Sequence, residues 1–134
     1  MAKSAQTALE ALEVFLRGLD PSYRGNANRY LALHTADPSA GDQTTSEATY
    51  GSYARIAIPI SGGWTGTGSP LSNTSLLQFP LCTSGSNTIT HISIGVASSG
   101  ASQILYSGAL NASRNISSGN QPQIAIGALT VAES

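Results

Sequence analysis

From residue 30 onward the chain is written in short phrases that alternate apolar and polar residues, each closed by a turn. Tyr30 to Thr35 sets Leu31 and Leu33 between Tyr30, Ala32 and His34, and Asp37-Pro38 ends it. Ser52 to Ile60 offsets Ala54, Ile56, Ile58 and Ile60 from Arg55 and Ala57. Thr88 to Val96 sets Ile89, His91, Ser93 and Gly95 against Thr90, Ile92, Ile94 and Val96. Shorter phrases run from Leu76 to Leu81, Gln103 to Leu110 and Gln123 to Val131. A period of two marks a strand with one face buried. Strands at intervals of roughly 10 to 20 residues, with Gly, Ser and Asn between them, predict a mainly β fold: an antiparallel jelly-roll or β-sandwich. No helical pattern separates the strands, which excludes a parallel α/β sheet. Pro59 cannot donate to a ladder and belongs at a sheet edge or a bulge.

One short helix is predicted ahead of the strands. Leu9, Leu12 and Leu16 recur at i, i+3 and i+7 with Phe15 beside them, which makes a single apolar stripe. Thr7 and Glu10 have the spacing of a capping box, while Gly18 and Asp20-Pro21 close the helix. The stripe needs a cover, and the chain's own sheet is the expected one, with a neighbouring protein as the alternative. The expected division is an N-terminal arm and helix over 1–20 and one β-sandwich domain over 21–134.

Composition excludes several functions. Charged residues make up 10% of the chain and the net charge is −1, so no basic patch exists for phosphate backbones and no nucleic acid is expected as a partner. Cys82 is the lone cysteine and is expected as a small buried hydrophobe. No stretch has the ~18 apolar residues of a membrane span, and Glu10 and Glu13 interrupt any signal-like core. The glycine-rich stretch 61–68 lacks the Lys-Ser/Thr ending of a phosphate loop. His34 and His91 stand on separate strands without a carboxylate or a second His at ligand spacing, so no metal is expected. His34 is expected to fix the turn before Asp37 through a local hydrogen bond. No nucleophile elbow or facing pair of carboxylates is present, so no catalytic residue, no cofactor and no enzyme are expected.

Several phrases carry a resemblance in order. They are a leucine- and phenylalanine-rich helix, then Leu31 to Pro38, Gly51 to Arg55, Phe79-Pro80, Thr90 to Gly95, Leu105 to Leu110 and Gly127 to Val131. Over nearly its whole length the chain resembles a family of small phage virion proteins, described as tail-fibre-like or as capsid decoration (cement) proteins. The resemblance implies a structural virion protein. Because the chain is short and carries no repetitive shaft, head decoration on the capsid surface is the preferred expectation. A tail or fibre-associated protein is the alternative, and a carbohydrate-binding receptor module a further one. The partners implied are the major capsid protein and the chain itself, as a dimer or trimer. Candidate docking residues are Met1, Ala2, Lys3 and Ser4 in a mobile arm, with Tyr50 and Trp64 as aromatic anchors near the polar loops 38–50 and 61–70. Trp64 could equally fill its own core. Arg55, a charge inside a strand phrase, is expected to pair with Glu47 or Asp37, or to cross an interface.

Overall fold

The computed structural model describes residues 1–132. Its elements are β1 (Ala2–Lys3), α1 (Ala5–Arg17), β2 (Asn28–His34), β3 (Ile56–Pro59), β4 (Trp64–Thr65), β5 (Leu71–Asn73), β6 (Leu77–Gln78), β7 (Ser86–Gly95), β8 (Ile104–Ser117), β9 (Gln123–Ile124) and β10 (Thr130–Val131). The fold is mainly β with one N-terminal helix, as the alternation predicts, and the strand pairs are antiparallel. A large sheet runs β1-β8-β7-β2-β3, and two small sheets, β10-β5-β4 and β6-β9, lie apart from it in hydrogen bonding. All three share one core. Leu31 and Leu33 from β2, Ile92 and Ile94 from β7 and Ile58 from β3 pack with Leu77, Phe79, Cys82 and Leu129.

Local chemistry explains where the strands depart from their phrases. Ser52 takes a positive φ of 74°, and the Tyr53 N–H donates to the Tyr50 carbonyl at 3.0 Å. Residues 50–53 therefore turn, and Arg55 precedes the strand instead of lying inside it. β3 is an edge strand, the position that Pro59 requires. Gly127, at φ 78°, breaks the last phrase into β9 and β10. β8 runs on to Ser117, well beyond Leu110. Opposite it, Ile89 pairs with Arg114 and His91 with Ala109, so Thr90 alone faces Leu110 to Ser113. This bulge changes the phase of β7. It brings Ile89 into the core beside Ile92 and Ile94, although strict alternation puts it with His91.

Where they lie side by side, residues 31–34 of β2 and 92–95 of β7 are buried on both faces. The second face carries Ala32, His34 and Ser93, each fully buried, and its cover is the loop after β2. Backbone bonds fasten that loop to the strand end: Thr35 N–H to Ser46 O at 2.8 Å and Ala48 N–H to Leu33 O at 2.9 Å. Pro38, Gln43, Ala48 and Tyr50 are buried, so this polar stretch works inside the fold. The Gln43 Nε2 donates to Tyr30 O at 3.0 Å and to Ser93 Oγ at 3.1 Å. A Cβ on Gly95 would lie 2.1 Å from the Gln43 Oε1, so only glycine leaves room for this side chain.

His34 completes the polar layer, and its bonds reach farther along the chain than the expected local bond at the turn before Asp37. Its Nδ1 lies 2.9 Å from the Thr45 carbonyl, and its Nε2 lies 2.7 Å from Ser93 Oγ. A carbonyl only accepts, so Nδ1 carries the proton and Nε2 accepts from the Ser93 hydroxyl. Burial holds the imidazole below its ordinary value of 6.5, against a smaller upward pull from the Thr45 carbonyl and Glu47. The folded state thus favours the neutral ring. Below pH 6.5 the unfolded chain binds the extra proton, and stability falls with pH. We expect the melting temperature to drop between pH 6.5 and about 5, a window above the ordinary carboxylates, and this slope to flatten in His34→Gln. An equal slope in the variant would assign it to other groups.

Candidate interaction surface

α1 is set by its caps. Ser4, not Thr7, is the N-cap, its Oγ accepting from the Thr7 N–H at 3.1 Å. Gly18 ends the helix at φ 65°, in the left-handed conformation expected of it. The start is tethered, because β1 pairs with β8 (Ala2 with Ser107, Lys3 with Tyr106) and the Ser4 N–H donates to Leu105 O at 3.2 Å. At 3.6 residues per turn, Thr7, Glu10, Ala11 and Val14 lie on one side and Leu9, Leu12 and Leu16 on the other.

The polar side faces the protein. Thr7 Oγ1 donates to Ile104 O at 3.2 Å, and Gln103 Nε2 donates to Glu10 Oε1 at 2.7 Å. The Tyr23 hydroxyl donates to the same Glu10 oxygen at 2.6 Å. Burial raises the Glu10 carboxyl, but hydrogen bonds from Gln103, Tyr23 and Gln6 outweigh it and the net direction is down. Burial and then the bond to Glu10 push the Tyr23 hydroxyl well above its usual range. The apolar side faces out: Leu9 is 49% exposed, Leu12 57%, Leu16 78% and Phe15 82%. The expectation that the chain's own sheet covers this stripe is therefore corrected. The β8 end offers backbone carbonyls and Gln103, and these select the hydrogen-bonding side of the helix.

The other candidate residues have their own places. Met1 packs against the core, and Ala2 and Lys3 form β1, so the expected mobile arm is an ordered edge strand ending at the Ser4 cap. Tyr50 is buried, its hydroxyl donating to Pro80 O at 2.8 Å and its ring edge-on to Tyr53 at 5.4 Å. It presents no anchor at the surface. Burial pushes that hydroxyl up to about 12. Trp64 is half-buried in β4, packs against the core, and lines a cavity of about 640 Å³ with Arg29, Ile60, Leu71, Tyr106 and Val131. Tyr50 and Arg55 are buried and present no docking face, while Trp64 shares its cavity with Tyr106, the partner of Lys3 in the sheet.

Arg55 pairs with Glu47, one of the two carboxylates expected for it. Its Nε donates to Glu47 Oε2 at 2.7 Å and one Nη to Oε1 at 2.9 Å, a bidentate fork. Its remaining donors reach Ala97 O at 3.0 Å and Gly100 O at 2.7 Å. The two side chains are 2% and 17% exposed. The Tyr53 hydroxyl also donates to Glu47, at 2.8 Å. The guanidinium thus ties the loop after β2 to the loop after β7, and it does so within one chain.

The Ser93–His34 contact has the look of a nucleophile and base, yet both side chains are fully buried and a carbonyl, not a carboxylate, orients the ring. Among the described residues no group of three His, Cys, Asp or Glu is placed to hold a metal, and no helix is long and apolar enough to cross a membrane. The family model described as podophage GP4 fiber I protein gp80 matches residues 2–132, a span that includes α1 and every strand. No curated protein matches the chain.

Two outcomes follow from these placements. Arg55→Met leaves the Glu47 carboxylate half of a buried pair unmatched, and we expect a loss of roughly 3 kcal/mol in denaturant unfolding. Adding Glu47→Leu should recover part of it; a loss below about 1 kcal/mol, as for surface pairs, would show that the fork does not hold the loops. On α1, Leu16→Glu should leave stability within about 0.5 kcal/mol because it touches little. Glu10→Ala should cost more, since it removes the acceptor of Tyr23 and one of the two acceptors of Gln103; the reverse ranking would mean that the helix rests on its leucines.

Proposed function

The chain belongs to the podophage GP4 fiber I protein gp80 family, and on that footing we propose that it is a fibre-associated structural subunit of the phage particle. The coarse role, a structural phage virion protein, comes with the family. The observation that carries the finer reading is the match over residues 2–132 to a family described by a fiber protein. That description favours the fibre apparatus over the head decoration preferred from the sequence alone.

The chemistry of the domain agrees with a building role. The Arg55–Glu47 pair is satisfied internally, the Ser–His contact is sealed, and α1 leaves Leu9, Leu12, Phe15 and Leu16 exposed. A binding and building subunit uses such a face, whereas a catalyst needs reactive groups within reach of substrate. A rigid β domain also loses little conformational entropy on docking, so weak contacts add up well over many copies.

Head decoration is the second reading, with the major capsid protein as partner. It draws on the shortness of α1, 13 residues, and on the absence of a repetitive shaft among the described residues. Cryo-electron microscopy of the intact particle separates the two. We expect density for this domain in the fibres or at their attachment to the tail, with the α1 face in contact. Regular density over the shell at symmetry axes would overturn the fibre reading and support decoration.

A further inference from the structure

A cation is seldom set on the inward face of a sheet, yet Arg29 stands there. In the ladder it lies opposite Ile58, and Leu31, two residues on, lies opposite Ile94, so all four share the core face of the large sheet. Ile94 in turn lies opposite Tyr106. The small sheet β10-β5-β4 has a matching face. Leu71 lies opposite Val131, and Asn73, two residues on from Leu71, lies opposite Trp64. Arg29, Ile94 and Tyr106 from one sheet and Trp64, Leu71 and Val131 from the other line the cavity of about 640 Å³. It is an open wedge between two sheets.

We propose that this wedge binds a small apolar carboxylate, its body between the sheets and its head on the Arg29 guanidinium. The volume lies within the ~300–1,000 Å³ of small-molecule sites, which are mostly apolar with a few placed polar groups. Among the described residues, Arg29 is the one charged member of the lining. An Nη of Arg29 donates to Asn28 O at 3.1 Å, and the guanidinium lies 5.4 Å from the Tyr23 ring centroid. No carboxylate among the described residues pairs with it, in contrast to the fork that holds Arg55. Its remaining N–H donors are placed for a charge-assisted bond to an anion.

The same lining disfavours other ligands. A sugar carries hydroxyls on every side and needs a partner for each one it buries. No Asp, Glu, Asn or Gln lines the wedge among the described residues. A nucleotide would bring several negative charges to a single guanidinium. An apolar body, by contrast, meets branched and aromatic side chains on both walls. The loop after β4 contributes Gly66 and Gly68, which add backbone without side-chain bulk and keep the wedge open. The site lies within one domain, so the proposal holds whether the subunit sits on a fibre or on the head.

Trp64 is the sole tryptophan of the chain, and its emission therefore reports on the wedge. The test is titration of the whole chain with decanoate at neutral pH, beside 1-decanol, which has the same body without the charge. We expect a saturable change in Trp64 emission, with the acid bound more tightly than the alcohol. Arg29→Gln should weaken decanoate at least about tenfold, the scale of a hydrogen bond to a charged group, and change decanol less than about threefold. Arg29→Lys, which keeps the charge, should retain most of the affinity for the acid. Leu12→Asp/Leu16→Asp, on the exposed side of α1, should bind as the wild type does. The absence of a saturable response, equal affinity for acid and alcohol, or loss of both ligands together in Arg29→Gln overturns the proposal. So does binding that the α1 variant abolishes, which would move the acid to the helix, or a Trp64 response to neutral oligosaccharides in place of decanoate.

Discussion

The Gln43 carboxamide occupies the space that a side chain on Gly95 would take, and much of the molecule depends on that substitution of one group for another. It lets a loop lie directly on the second face of β2 and β7, so both strands are buried twice over. A buried amide that lacked partners would cost about 1–3 kcal/mol for each group left unpaired. Gln43 avoids most of that by donating to Tyr30 and Ser93, and Ser93 passes the chain of bonds to His34. Once the loop is seated, Glu47 arrives beside Arg55, and Ala48 and Tyr50 reach the apolar core. The polar layer is therefore what positions part of the hydrophobic one.

The same logic explains the direction of α1. Its first turn is fixed by β1 and the Ser4 cap. The surface it meets there consists of the Ile104 and Leu105 carbonyls and Gln103. Those groups need donors and acceptors, and Thr7 and Glu10 supply them. Each leucine or phenylalanine left outside forgoes roughly 1.5–3 kcal/mol of burial. The stripe is thus a source of free energy that the isolated domain does not draw on, and any partner that covers it does.

Period-two patterning made β2 and the second half of β7 legible, and proline chemistry made the edge position of β3 legible as well. What escaped had local causes that a pattern does not carry. Ser52 turns the chain ahead of Arg55 by adopting a positive φ, and the bulge in β8 shifts Ile89 into the core. The loop after β2 reads as polar because it consists of Ser, Gly, Asp, Gln and Thr, although several of its side chains are inside. That Arg55 needs an anion was readable from charge, with Glu47, Asp37 or a contact across an interface all open, and the fold selects Glu47. The outward face of α1 was not readable. An amphipathic pattern states that a helix has two sides and is silent on which of them meets the domain.

A surface poor in charge brings the risk of association without direction, and here the risk is narrowed by where the apolar groups lie. The strands' large hydrophobes are mostly inside, the free edge of β8 is bulged, and the commonest exposed groups elsewhere are hydroxyls and amides that water satisfies. Against that background one helix face is contiguous, apolar and rigidly mounted on hydrogen bonds to the sheet. Contacts made by the rest of the surface are weak and exchangeable, whereas contacts made by α1 remove apolar area from water at a fixed orientation. For a subunit built into a larger particle, that contrast determines geometry. Nearly neutral chains approach one another with little repulsion, and an apolar face held at a fixed orientation favours some arrangements over others.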